Sequence, residues 1–292
     1  MSYKKKISIC TFGIGIKITS SAKVIRQLEA NSFFGDYIPG FSFNKNQTNS
    51  IEIKINPSYK DNIKVFDTNN TALIRYRDEY SDKDIISLIE LILEYYRQKR
   101  GIYTIHGSAC EYMNQGILIV GGASGIGKST LAYNLSNKKE SGFKFIGDEK
   151  ISVNDKAEII GGIQKTGLNK KNNNDDLLID LNLWQNNATK ISVILQPLIS
   201  EGGKLTIYEW DLTRIRWHMY EEFSRKIRAV SRIVAGFPIQ SIDNDELALS
   251  RLNFVNSLSS SNAITFFSAQ GDINEVSSYV LNIIDRKSHE SA

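Results

Sequence analysis

The residue types that could do chemistry here are concentrated in GILIVGGASGIGKST, residues 116–130, where Gly122, Gly127, Lys128 and Ser129 stand in the order G-x-x-x-x-G-K-S. An apolar strand that ends in such a turn gathers backbone N–H groups into a concave nest fitted to phosphate oxygens, and side chains at the glycine positions would obstruct it. The nest runs through Gly122, Ala123, Ser124, Gly125, Ile126 and Gly127. Lys128 can reach the outer phosphates, Ser129 can ligate Mg²⁺, and Thr130 continues a helix whose positive dipole end faces the anion. The pattern implies a nucleoside triphosphate held with Mg²⁺. It leaves open whether the nucleotide is hydrolysed, transferred or sensed.

A second group lies about twenty residues on, where the apolar run Phe143–Ile146 leads through Gly147 into Asp148 and Glu149. An acidic residue at the end of an apolar strand beyond a phosphate loop is what a Mg²⁺ site requires, because the ion takes carboxylate and phosphate oxygens together. Ordinary turn acids would have the same local pattern. His106, in His106-Gly107-Ser108, reads on its own as a core or turn histidine. Arg214, Arg216, Arg225, Lys226, Arg228 and Arg232 form a basic helical face, suited to phosphate or, more simply, to water.

The elements that must position these groups follow from periodicity. Residues 1–80 read as a β-rich N-terminal lobe or an extension of the main sheet: a strand or hairpin over Ile7–Ile18, the alternating IEIKI of Ile51–Ile55, and short strands at Ile63–Phe66 and Ala72–Arg77. Only Ala22–Ala30 is helical in pattern there. Its aromatic group, Phe33, Phe34, Tyr37, Phe41 and Phe43, reads as core first and as a peptide groove second. From about Asp82 to Lys99, Ile85, Leu88, Ile89, Ile92, Leu93 and Tyr96 recur at helical spacing, with Ser81 and Asp84 as a capping box and Gly101 as the stop. Strands at Ile102–Ile105 and Ala109–Tyr112 flank His106, and the MNQG turn leads into the phosphate-loop strand. A further strand is expected at Lys150–Val153. The Asn-rich segment 168–188 reads as a connector or a loop that orders on substrate. Strands at Ile191–Leu195 and Lys204–Tyr208, helices at Leu212–Val234 and Asp245–Leu258, and a final strand and helix from Ala263 to Ile284 complete the pattern.

Composition narrows the function classes. With 292 residues, 41% of them hydrophobic, the chain can bury a substantial core. A formal charge of +4 suits anionic ligands without pointing to nucleic acid. Cys10 and Cys110 make neither a disulfide framework nor a zinc site, which fits a reducing, cytoplasmic setting. No stretch approaches the roughly 20 apolar residues of a membrane span.

Taken in order, IHGSA (105–109), GGASGIGKST (121–130) and FIGDEKISV (145–153) resemble the motifs of the HPr serine kinase family and its HPr-kinase-related members. The resemblance covers about residues 102–153. It implies an α/β, P-loop-containing fold with a phosphoenolpyruvate-carboxykinase-like core, a mixed sheet flanked by helices, in which residues 81–292 form the kinase domain. The implied activity is transfer of the γ-phosphate of ATP, with Mg²⁺, to a hydroxyl, usually a serine of a peptide or small protein. On that carry-over Lys128 binds the β- and γ-phosphates, Ser129 and Asp148 hold Mg²⁺, and Asp148 also accepts the proton of the attacking hydroxyl. Glu149, where the family more commonly has a second Asp, assists the metal or the base, and His106 lies near the transferred phosphate. Homo-oligomers are frequent among such relatives. HPr kinases proper also carry a Glu-Val-Arg-Gly-Leu-Gly type signature, whereas residues 159–172 here read IIGGIQKTGLNKKN. Relatives without that signature include kinases associated with lasso peptides and other ribosomally made peptides.

Overall fold

The computed structural model describes residues 4–30, 35, 37–43, 51–59, 62–66, 69–76, 80–122, 124–137, 142–163, 188–228, 233–234, 237–239 and 241–290. Expectations for Phe33, Phe34, Ala123, Arg232 and, apart from Ala188, the Asn-rich segment 168–188 lie outside these residues. The fold is mixed α/β, with a six-stranded and an eight-stranded mixed sheet. The chain divides into two compact units, Met1–Gly101 with Ser224–Ser250, and Ile102–Phe223 with Arg251–Ala292.

In the first unit, β1 (Lys4–Thr11) and β2 (Ile14–Ser21) form a hairpin, followed by helix α1 (Ala22–Ala30). The turn places Phe12 and Gly13 at φ 45° and 76°, the paired positive angles of a tight hairpin whose twist matches its strands. With β3 (Phe41–Phe43), β4 (Ile51–Pro57), β5 (Asn62–Phe66) and β6 (Thr71–Tyr76) the sheet order is β3-β1-β2-β4-β6-β5. β4 shows the strand period directly: Ile51, Ile53 and Ile55 are buried while Glu52 and Lys54 turn to the other face. Burial alone would push the Glu52 carboxyl up, but the Thr19 hydroxyl and the Lys17 and Lys54 ammonium groups outweigh it and hold it below its usual range.

Helix α2 (Asp82–Gln98) belongs to this first unit, so the unit extends to Gly101 and beyond the boundary expected at residue 80. The physical reason is burial on every side: Ile85, Ile86 and the whole run Leu88–Gln98 are buried, and the apolar ones share a core with Ile9, Ile16 and Ile53. The capping box forms as the letters suggest, Asp84 N–H reaching the Ser81 hydroxyl at 3.3 Å and Ser81 N–H reaching the Asp84 carboxylate at 2.8 Å. Gly101 closes the end at φ 69°, donating to the Gln98 carbonyl at 3.0 Å.

The second unit holds β7 (Ile102–Ile105), β8 (Gly107–Tyr112), β9 (Gln115–Val120), helix α3 (Lys128–Asn137), β10 (Lys144–Asn154), β11 (Glu158–Ile163), β12 (Thr189–Ile199) and β13 (Thr206–Glu209). Helix α4 (Leu212–Arg225), the short strands β14 (Ile233–Val234) and β15 (Phe237–Pro238), helix α5 (Asp245–Ser259), β16 (Thr265–Gly271) and helix α6 (Ile273–Glu290) complete the chain. The strand order is β11-β10-β8-β9-β12-β16-β13, with β7 beside β10. β9, β12 and β16 run parallel, and both faces of this trio are covered. Leu131 and Leu135 of α3 and Val276 and Val280 of α6 pack with Ile117 and Val193, whereas Met219 and Phe223 of α4 and Val255 of α5 pack with Leu118 and Ile194.

Two expected elements differ. The helix expected over Leu212–Val234 stops at Arg225, and Ile233–Val234 instead pairs with Phe237–Pro238. Ile227, two residues past the helix end, is fully buried in the first unit's core, so packing overrides helical propensity there. The separate strands expected at Phe143–Ile146 and Lys150–Val153 are one strand, β10, with irregular pairing around Asp148. Among the described residues no helix is long and apolar enough to cross a membrane.

Within α2, Arg97 is fully buried and its guanidinium donates to Glu90 at 2.7 Å and to Glu94 at 2.9 and 3.1 Å. Burial disfavours the Arg97 charge, yet the two carboxylates more than offset it and raise the arginine's pKa further. Arg97→Met strands both carboxylates in the interior, and chemical denaturation is expected to show a loss of about 3–5 kcal/mol near neutral pH. A denaturation midpoint indistinguishable from the parent's would contradict this account.

Candidate functional site

The glycine-rich turn leaves β9 at Val120 and enters α3 at Lys128. Its shape is held from the neighbouring strand. Ile199 at the end of β12 donates its N–H to the Ile126 carbonyl at 3.1 Å, and a Cβ placed on Gly127 would fall 2.3 Å from the Ile199 side chain. Gly127 also takes φ 98°, so both space and backbone exclude a larger residue. Gly125, by contrast, has open space where a side chain would stand, and Ser124 and Thr130 are exposed. Gly122 is exposed at the start of the turn.

At the other end of the turn, Lys128 is buried, 7% exposed, and Ser129 is half-buried beside it in the first turn of α3. That first turn carries no acidic residue, leaving its positive end to an incoming anion.

The acidic partner arrives from β10. This strand pairs with β8 as far as Gly147↔Ala109, then pairs with β11 from Asp148↔Ile163, and the register shifts around the junction. A Cβ on Gly147 would meet the Gly162 Cα at 2.8 Å, so the crossing of β10 and β11 needs glycine there. Glu149 sits at φ 65°, a left-handed angle that costs a non-glycine residue about 1–2 kcal/mol. The irregularity re-aims consecutive side chains. Asp148 turns inward, 1% exposed, while Glu149 keeps a side chain 46% exposed.

Asp148 and Ser129 meet, the serine hydroxyl donating to Asp148 Oδ1 at 2.9 Å. Ser108 of β8, fully buried, donates to the same oxygen. Glu149 serves a different neighbour: its carbonyl stands 3.0 Å and its carboxylate 3.7 Å from His106 Nδ1. A carbonyl can only accept, so Nδ1 carries the proton and Nε2 is the acceptor nitrogen of the neutral ring. The structure thus brings Ser129 and Asp148 together, pairs His106 with Glu149 one residue away, and sets Lys128 next to Ser129. Ala123 lies outside the described residues.

These residues suit Mg²⁺. Ser129 Oγ and Asp148 Oδ1 are joined by a hydrogen bond of ordinary length, 2.9 Å, which keeps two oxygen donors of the kind this ion prefers side by side. Among the described residues no three His, Cys, Asp or Glu side chains cluster to cage a metal. A hydroxyl, a carboxylate and substrate phosphate oxygens are the mixed set this ion takes.

Ser108 is the residue that sequence reasoning passed over. Its signal was a hydroxyl inside a strand that is otherwise buried and largely apolar, two positions after His106. Of the expected basic face, Arg214 lies over the Trp210 ring at 5.1 Å and donates to Ser268 at 2.8 Å, and Arg216 donates to Ser259 at 3.4 Å, while Lys226 and Arg228 lie beyond the end of α4. Burial pushes the Cys110 thiol well up, with Glu111 adding to it, so this cysteine is no nucleophile.

No family model matches the sequence, and no curated protein matches it. Among solved structures the chain is matched to the Hpr(Ser) kinase/phosphatase from Coxiella burnetii, with 16% identity and a TM-score of 0.22, over 53% of this chain and 90% of that one. A likeness of that size leaves the chemistry to the side chains at the site.

The shared acceptor oxygen has a measurable consequence for stability. Asp148→Ala leaves the Ser108 hydroxyl buried without this acceptor and is expected to cost about 1–3 kcal/mol in urea unfolding. Asp148→Asn keeps a carbonyl oxygen for it and should cost less; equal losses would show that the contact contributes nothing.

Proposed function

We propose that this chain is an ATP-dependent kinase that transfers the γ-phosphate, with Mg²⁺, to a serine or threonine hydroxyl of a peptide or small protein. The observation that carries the reading is the meeting of Ser129, in the first turn of the helix after the glycine turn, and Asp148 of the bulged strand, 2.9 Å apart in space and nineteen positions apart in sequence. Phosphoryl transfer asks a protein mainly to align the attacking oxygen and to offset charge that accumulates on the phosphoryl group. In this reading the backbone of residues 122–127 cradles the phosphates and Lys128 neutralises the outer ones. Ser129 and Asp148 hold the metal, which when bound supplies positive charge between the phosphates. Asp148 orients the acceptor hydroxyl and takes its proton, and His106, fixed by Glu149 with Nδ1 protonated, faces the transferred group through its ring. The resemblance of IHGSA, GGASGIGKST and FIGDEKISV to the HPr-kinase-related family supports the same assignment. The missing Glu–Arg signature in residues 159–172 favours a peptide acceptor over HPr and argues against phosphorolysis.

Incubation with γ-labelled ATP, Mg²⁺ and a serine-containing peptide library tests this directly. Label on serine or threonine is expected, and Lys128→Ala and Asp148→Asn should each reduce transfer by about 10²-fold or more while remaining folded. Label found only as inorganic phosphate would replace the kinase with an ATPase, and full activity in either variant would remove its assigned residue.

A further inference from the structure

We infer that Ser108 is a positioning residue for the Mg²⁺–nucleotide site, acting through Asp148; the inference rests on the reading of Ser129 and Asp148 as that site. Two hydroxyls donate to one carboxylate oxygen, and their situations differ. Ser129 stands in the first turn of α3, half-buried, and its oxygen is also wanted by the metal. Ser108 is fully buried in β8, the strand between the phosphate-loop strand and the acid strand. β8 is tied on both sides, Ser108↔Ile119 toward β9 and Ala109↔Gly147 toward β10, so the Ser108 hydroxyl is presented to Asp148 by a rigid ladder.

The chemistry of the pairing separates it from ordinary core satisfaction. Elsewhere in the same sheet two buried hydroxyls, Thr104 and Ser152, satisfy each other at 3.3 Å. Ser108 instead donates to an acidic side chain that is itself 1% exposed, and hydrogen bonds to a charged acceptor are roughly twice as strong as neutral ones. An outer hydrogen bond that fixes a ligating carboxylate sets how well that carboxylate meets the ion. Ser108 therefore holds Asp148 in the orientation that Ser129 alone would have to surrender when its own oxygen turns to the metal.

The test is calorimetric titration of the full chain with adenylyl imidodiphosphate, at varied Mg²⁺ and again in chelator, for the parent and Ser108→Ala. Ser108→Ala is expected to need about 10–100-fold more Mg²⁺ for half-saturation, the loss typical when an outer-shell partner is removed. Metal-free nucleotide binding and the cooperative melting transition should be unchanged. An unaltered Mg²⁺ requirement, or an equal weakening with and without metal, would overturn the role for Ser108. Should Ser108→Ala fail to melt cooperatively, Ser108→Cys, near in size and a weaker donor, takes its place: a raised Mg²⁺ requirement supports the role and an unaltered one overturns it. A parent protein whose nucleotide binding ignores Mg²⁺ would remove the site itself, an outcome distinct from any difference between parent and variant.

Discussion

A carboxylate cannot be taken out of water without partners, and the arrangement around Asp148 follows from that constraint. The side chain is 1% exposed, and one of its oxygens accepts from Ser108 and Ser129. Meeting the requirement fixes three elements at once: the start of α3, the middle of the sheet at β8, and the bulge in β10. Because β8 lies between β9 and β10, the acid strand and the phosphate-loop strand are two spacings apart, about 10 Å. The bulge throws the acid inward, and Ser129 at the start of α3 meets it there.

The same bulge produces the second pair. Turning Asp148 into the interior places Glu149 in the left-handed region, and its carbonyl then meets the His106 ring. Local strain in one residue is thus coupled to the orientation of a histidine on a different strand, at the junction of β7 and β8. Non-glycine residues hold such angles only where their surroundings over-determine them. The hydrogen bonds to Asp148 on one side and to His106 on the other are that over-determination.

What could be read from the letters was whatever local chemistry dictates. The capping box at Ser81 and Asp84, the turn at Met113–Asn114 and the glycine turn before Lys128 each depend on a few neighbouring residues, and each is found where its residues stand. Asp148 was expected as an acid at a strand end, whereas it stands inside the continuous strand β10, where the pairing is irregular. Ser108 was not expected, because its role comes from register: nothing in GSACEY says that its strand will be inserted between the other two. The end of α4 and the membership of α2 were hidden for the same reason. Both are decided by which core collects Ile227 or the buried face of the helix, a choice made by packing and not by propensity.

The contact between Gly127 and Ile199 makes β12 a backstop for the phosphate loop. A branched side chain fills the volume into which the turn would otherwise relax, and a main-chain hydrogen bond pins the turn against it. The loop's shape is then a property of the sheet as much as of its own glycines. Grafted onto a scaffold lacking a bulky residue at that register, the same letters would slacken, because the wall against which the turn is pressed belongs to another strand.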